Sequence, residues 1–234
     1  MNKSMIGCVN VPSQQNVFKD PEILQSKSYQ VTNEVFCAVS HGIGLILAII
    51  ACVSLAIKAV RLESPLHLLA YLNFTLAMCM LYFNSTLYHS LKFTRVAPLF
   101  RVFDHCSIYL LIAGSYAPYC LLVLPPGIGW PIFSLEWLIA ALGICLSLKA
   151  SERFKRWETW TYIAMGWLVI FTLKPLLDNF PLPGLIWTLI GGIAYTLGTY
   201  FYVKDDQVAY YHVAWHLFVM VGSACFFIAI LAYT

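Results

Sequence analysis

The charges in this chain are clustered, which leaves long neutral runs. With histidine counted as neutral, 23 uncharged residues separate Glu34 from Lys58, 28 separate Glu63 from Lys92, and 28 follow Asp206 to the last residue. A hydrocarbon core of ~30 Å is crossed by about 20 apolar residues of helix. Each run is long enough. Only 11% of the chain is charged and 60% is hydrophobic, where soluble domains carry about 25% charge. The fold class expected is therefore an all-α integral membrane protein, and a soluble domain is excluded.

Seven spans are expected, at roughly 36–58, 66–91, 103–124, 130–149, 158–177, 182–203 and 208–232. Turn residues mark several joints: Pro125-Pro126-Gly127-Ile128-Gly129, Pro181-Leu182-Pro183-Gly184 and Lys204-Asp205-Asp206. Lys174 and Asp178 sit four apart near the end of the fifth span and fit a pair on one helix face. Residues 1–33 are polar and mixed in charge, without the apolar core of a signal peptide. They read as a short cytoplasmic arm, followed by a seven-helix transmembrane domain over 34–234.

Cytoplasmic loops carry an excess of lysine and arginine. With seven spans, the arm (Lys3, Lys19, Lys27) shares a side with Lys92, Arg95, Arg101, Lys149, Arg153, Lys155, Arg156 and Lys204. That side holds 11 of the 14 basic residues. The N-terminus is expected inside, the C-terminus outside, and the protein in the cell membrane. No basic stretch stands apart from these loops, so nucleic acid is not an expected partner.

Ionisable side chains inside a span are costly and point to function. His212 and His216 are four apart in the last span, on one helix face. His89 ends the second span and Asp104 begins the third. In the expected orientation all four lie within one or two turns of the inner face. Ser85 shares a face with His89, four residues on. His67 is at the opposite end and cannot join them. Three imidazoles leave a tetrahedral zinc ion one open position, the catalytic pattern. Asp104 suits proton transfer with an activated water, and Ser85 suits hydrogen bonding to an oxyanion. This combination fits hydrolysis of an amide or ester, and a substrate arriving from the bilayer would be a lipid. Imidazoles also suit copper, iron and nickel.

Plainer roles are open to each residue: aromatic packing or interfacial anchoring for the histidines, helix packing for Ser85, and the helix dipole for Asp104. His41 reads as a helix cap or headgroup contact, with ligation the lesser alternative. His105 points about 100° from Asp104 on a helix and is not expected to ligate. Glu136 lies alone within the fourth span, toward the outer side. The eight cysteines are scattered, with no CxxC pair, and read as small packing residues in preference to disulfides or metal ligands.

Glu34-x6-His41 with Ser40, Ser85-x3-His89, Asp104 fifteen residues on, and His212-x3-His216 resemble the signature regions of the progestin and adipoQ receptor family. His105 to Pro118, with Ala113-Gly114-Ser115-Tyr116-Ala117-Pro118, resembles its bacterial hemolysin III branch. The resemblance spans about residues 33–230. It implies seven helices with a cytoplasmic N-terminus, here in a bacterial inner membrane. It also implies a zinc site near the inner face with His89, His212 and His216 as ligands. Asp104 is implied to reach the metal through water, with Ser85 as the nearby hydroxyl. Cys37 stands where the first region usually has asparagine. That departure puts a hydrogen bond at the first span in doubt, not the metal ligands. Related proteins of a wider superfamily include alkaline ceramidases. The expected function is a zinc-dependent membrane hydrolase of a lipid amide or ester. The alternatives are a hemolysin-type pore former with structural zinc, or a lipid-sensing receptor without turnover.

Overall fold

The computed structural model describes residues 21–149 and 152–234, without the side chains of 149–157. Cys8, Lys3, Lys19 and most of the expected arm lie outside the described residues, as do the side chains of Lys149, Arg153, Lys155 and Arg156. The described residues form helices and no strand. In order these are α1 (Pro21–Gln25), α2 (Lys27–Arg61), α3 (Pro65–Ser90), α4 (Ala97–Pro118), α5 (Pro126–Lys149), α6 (Glu152–Gly166), α7 (Leu173–Asn179), α8 (Leu182–Val203) and α9 (Tyr211–Tyr233). Seven stretches are long and apolar enough to cross a membrane. This is a multi-pass membrane protein.

Local chemistry sets the helix ends. Ser26 accepts a hydrogen bond from the Tyr29 amide at the start of α2. Ser64 caps α3 and Pro65 follows it, where the missing N–H costs nothing. The first spanning helix, α2, begins at Lys27, ahead of the expected start near residue 36, because that cap starts the chain coiling before the apolar run.

Two spans carry irregular turns. Pro118 lies within α4 and has no N–H to donate, and the chain widens into a π-turn over Tyr119–Val123. The fifth span is broken into α6, a 3₁₀ turn over Leu168–Thr172, and α7. A side chain inserted into the backbone ladder explains the break. The Tyr116 hydroxyl donates to the carbonyls of Met165 (3.0 Å) and Gly166 (2.9 Å) and accepts from the Val169 amide (2.9 Å). Beyond the break, Lys174 and Asp178 form the expected pair at 2.9 Å.

The spans follow one another around a closed ring, α2 to α6, then α8 and α9 and back to α2. The third is the most enclosed. Tyr71, Phe74 and Tyr82 from α3, Leu55 from α2 and Ile230 from α9 fill the centre. The outward face of α2 exposes Val35, Val39, Ile43, Ile46 and Ile50. Such a continuous apolar face would be a liability in water and suits contact with lipid chains.

Helices approach closely where side chains are small. Gly191 and Gly198 of α8 lie against α9, while Gly192 faces open space. Gly114 of α4 is the tightest contact with α3: a β-carbon there would stand 2.6 Å from Ala77 Cβ and 2.7 Å from the Asn73 carbonyl oxygen. Alanine gains up to about 1 kcal/mol over glycine in a helix, but overpacking costs about 1–3 kcal/mol. A backbone carbonyl cannot swing aside, so the second effect wins. Gly114→Ala is therefore expected to lower thermal stability in detergent. An unchanged or raised midpoint would contradict this account of the α3–α4 contact.

Candidate metal centre

Helix direction brings distant polar residues to one end of the ring. At this end α2, α4 and α9 begin and α3 and α8 finish. Glu34, Cys37 and His41 lie on one face of α2, spaced i, i+3 and i+7. His89 is in the last turn of α3, Asp104 is near the start of α4, and His212 and His216 lie in the first turns of α9.

Three imidazoles form a nearly equilateral triangle. Ring centroids are 5.1 Å apart for His89 and His212, 4.8 Å for His89 and His216, and 4.9 Å for His212 and His216. Each ring is anchored through Nδ1. His89 meets the Glu34 carboxylate at 2.6 Å, and His212 meets that of Asp205 at 2.5 Å. His216 Nδ1 is 3.2 Å from the Cys37 carbonyl and 3.3 Å from the Ser40 hydroxyl. An ionised carboxylate or a carbonyl only accepts, so each Nδ1 carries the proton. Each Nε2 then presents a lone pair. A carboxylate or carbonyl behind a histidine is the usual support of a metal ligand.

Buried polar atoms without a partner are rare, yet His89 Nε2, His212 Nε2 and the Ser85 hydroxyl are all buried here without one. A shared cation would satisfy both nitrogens. Donor atoms of Cys37, His89, His212 and His216 all lie within 4.8 Å of one another, a group able to hold a metal ion. Beside them is a cavity of about 20 Å³, lined in part by Ser85, Asp104, His212 and His216. It has room for about one water molecule.

Residues 29–227 match the family described as Haemolysin-III related. The chain belongs to this family. It is 39% identical to Hemolysin-3 of Bacillus cereus over 203 residues, 87% of this chain and 92% of that one. It is 35% identical to the Hemolysin-3 homolog of Bacillus subtilis (strain 168), over 88% of this chain and 96% of the relative. Human monocyte to macrophage differentiation factor is 30% identical over 68% of this chain and 67% of its own length. These relatives suit a multi-pass protein of a bacterial cell membrane.

Within this haemolysin III chain, the five residues singled out by sequence (Ser85, His89, Asp104, His212 and His216) converge on one centre. His67 stays apart, bonded to Ser64 Oγ at 2.7 Å. One expectation is corrected, at His41, and Cys37, expected to be a packing residue, also belongs to the group that could hold a metal ion. Its carbonyl holds His216, so its backbone, and with it Sγ, lies against the centre. His41 is neither a cap nor a surface residue. It is 2% exposed and stacks on His216, with centroids 3.6 Å apart and planes 7° from parallel. His105 does line the cavity, although its nitrogens are engaged by the Arg101 carbonyl and Tyr202 hydroxyl, as suits a non-ligand. Glu136 is fully buried elsewhere, with no hydrogen-bond partner for either oxygen.

The sequence placed Glu34 in a signature region without a role, and it gave no role to Asp205. Glu34 shares the α2 face with Cys37 and His41, and helical spacing alone could have grouped them. Lys92 adds a second contact to Glu34 at 3.8 Å. Asp205 had no such signal, because it reaches His212 across a loop. That loop closes through Tyr210, held left-handed at φ 63° with its amide donating to the Tyr29 hydroxyl at 3.3 Å.

Elemental analysis of purified protein is expected to show about one metal ion per chain, lost in His89→Ala and in His212→Ala. Glu34→Gln and Asp205→Asn should retain the ion but bind it ~10–100-fold more weakly, the usual cost of removing a ligand's support. Full metal retention in His89→Ala would disprove the shared centre.

Proposed function

We propose that this protein is a zinc-dependent hydrolase of a lipid amide or ester. The observation that carries this reading is a cluster of three anchored imidazoles beside a cavity that two of them line together with a carboxylate and an unpartnered hydroxyl. His89, His212 and His216 would hold the metal. Zinc bound there would supply Lewis acidity toward a carbonyl oxygen and toward water.

The protein's own groups divide the remaining work. The Asp104 carboxylate accepts the proton given up by the attacking water and returns it to the leaving group. The Ser85 hydroxyl donates to the carbonyl oxygen as negative charge develops there. Glu34 and Asp205 hold His89 and His212 in orientation and oppose the positive charge of the centre. Leu81, Trp215 and Val219 form an apolar wall that limits water. A cavity of this size admits a water but not a substrate, so the scissile group must enter as the helices part. The apolar outer faces bring lipid to them. The excess of basic residues at the site's end of the ring supports a cytoplasmic centre, with the arm 1–33 on the same side and the membrane domain over 34–234.

A second reading is supported by the names of the Bacillus relatives: a membrane-perturbing protein whose metal is structural. One experiment separates the two. Asp104→Asn should lower turnover of a ceramide-like amide or a lipid ester by ~10²–10⁴-fold with metal content unchanged, and Ser85→Ala by ~10²–10³-fold. Dye leakage from liposomes that persists in Asp104→Asn, with no turnover by the parent protein, would favour the membrane-perturbing role.

A further inference from the structure

We infer that Cys37 Sγ is a fourth ligand to the metal, so that this chain holds the ion in a closed site of one sulfur and three nitrogens. The inference rests on the metal reading above and concerns how the same site is regulated. Cys37 is completely buried, and its Sγ falls in the same 4.8 Å group as the three histidine donors. Its placement is doubly determined. It lies on the α2 face that also carries Glu34 and His41, both engaged with the histidines. Its carbonyl accepts from His216 Nδ1 at 3.2 Å, which holds this turn of α2 against α9.

A buried cysteine in a membrane helix is ordinarily a small packing residue. The difference here is the company it keeps: one thiol and three imidazoles from α2, α3 and α9. Nitrogen and sulfur donors are the set zinc prefers, and four of them close a tetrahedral site. With sulfur in place, no position is left for a carbonyl oxygen or water. Cys37 must leave before the centre can act on a lipid, so sulfur ligation holds the hydrolase closed.

The test uses the full chain loaded with cobalt(II) in detergent. The parent protein should show an intense near-ultraviolet charge-transfer band from sulfur to cobalt. Cys37→Ala and Cys37→Asn should lose that band while still binding one cobalt per chain. X-ray absorption of the unaltered zinc-loaded protein is a second measurement that needs no variant. It should show one sulfur at about 2.3 Å and nitrogens at about 2.0–2.1 Å. Zinc-loaded Cys37→Asn should then hydrolyse a lipid amide at least tenfold faster than the parent. A parent site with nitrogen and oxygen donors alone overturns the assignment, whether or not lipid is hydrolysed. Sulfur ligation without turnover in any variant upholds Cys37 as a ligand and overturns the hydrolase reading. Protein that binds neither metal overturns both.

Discussion

A polar side chain carried into an apolar helical bundle must find its partner within the protein, because lipid tails offer none. At one end of this ring that requirement is met by pairing imidazoles with carboxylates: His89 with Glu34, and His212 with Asp205. Each is a hydrogen bond from a neutral imidazole to a carboxylate, a kind worth about 1.5–3 kcal/mol. The two pairs therefore tie α2 to α3, and the α8–α9 loop to α9. The positions of two of the three rings follow from those ties, and the third, His216, is held by the Cys37 carbonyl.

The same demand explains the irregular helices. A hydroxyl from Tyr116 enters the ladder of the fifth span and takes two carbonyls and an amide in exchange for the broken helix. Tyr82 and Tyr195 likewise share the Ser223 hydroxyl, each at 2.8 Å. Tyrosine suits this work because its ring fills apolar space while its hydroxyl satisfies a distant group. The bundle thus gains cross-links through neutral side chains.

Membership in the haemolysin III family identifies the framework and leaves the chemistry of each centre to its own residues. In this chain α2 supplies two further side chains to the centre. His41 lies flat on His216 and limits where that ring can turn. Cys37 presents its carbonyl to Nδ1 of the same ring, and its sulfur belongs to the metal-capable group. One helical turn thereby both orients a ligand and offers another.

The spacing and charge of the chain by themselves determined seven spans and the end at which the polar residues gather. Bilayer thickness sets a length that an uncharged run either reaches or does not, and helix direction alternates with each crossing. His212 and His216 were legible as a pair because four residues return to the same helix face, and His89 and Asp104 joined them through depth. Tertiary structure alone decided the rest. Asp205 meets His212 only because the loop turns back through a left-handed Tyr210. Cys37 enters the donor set only because α2 lies against α9 with that face inward. His41 stacks on a ring from a helix 175 positions further along the chain, from 41 to 216. A helical period records which residues share a face, but the partner of that face depends on packing between segments far apart in sequence, which no local pattern encodes.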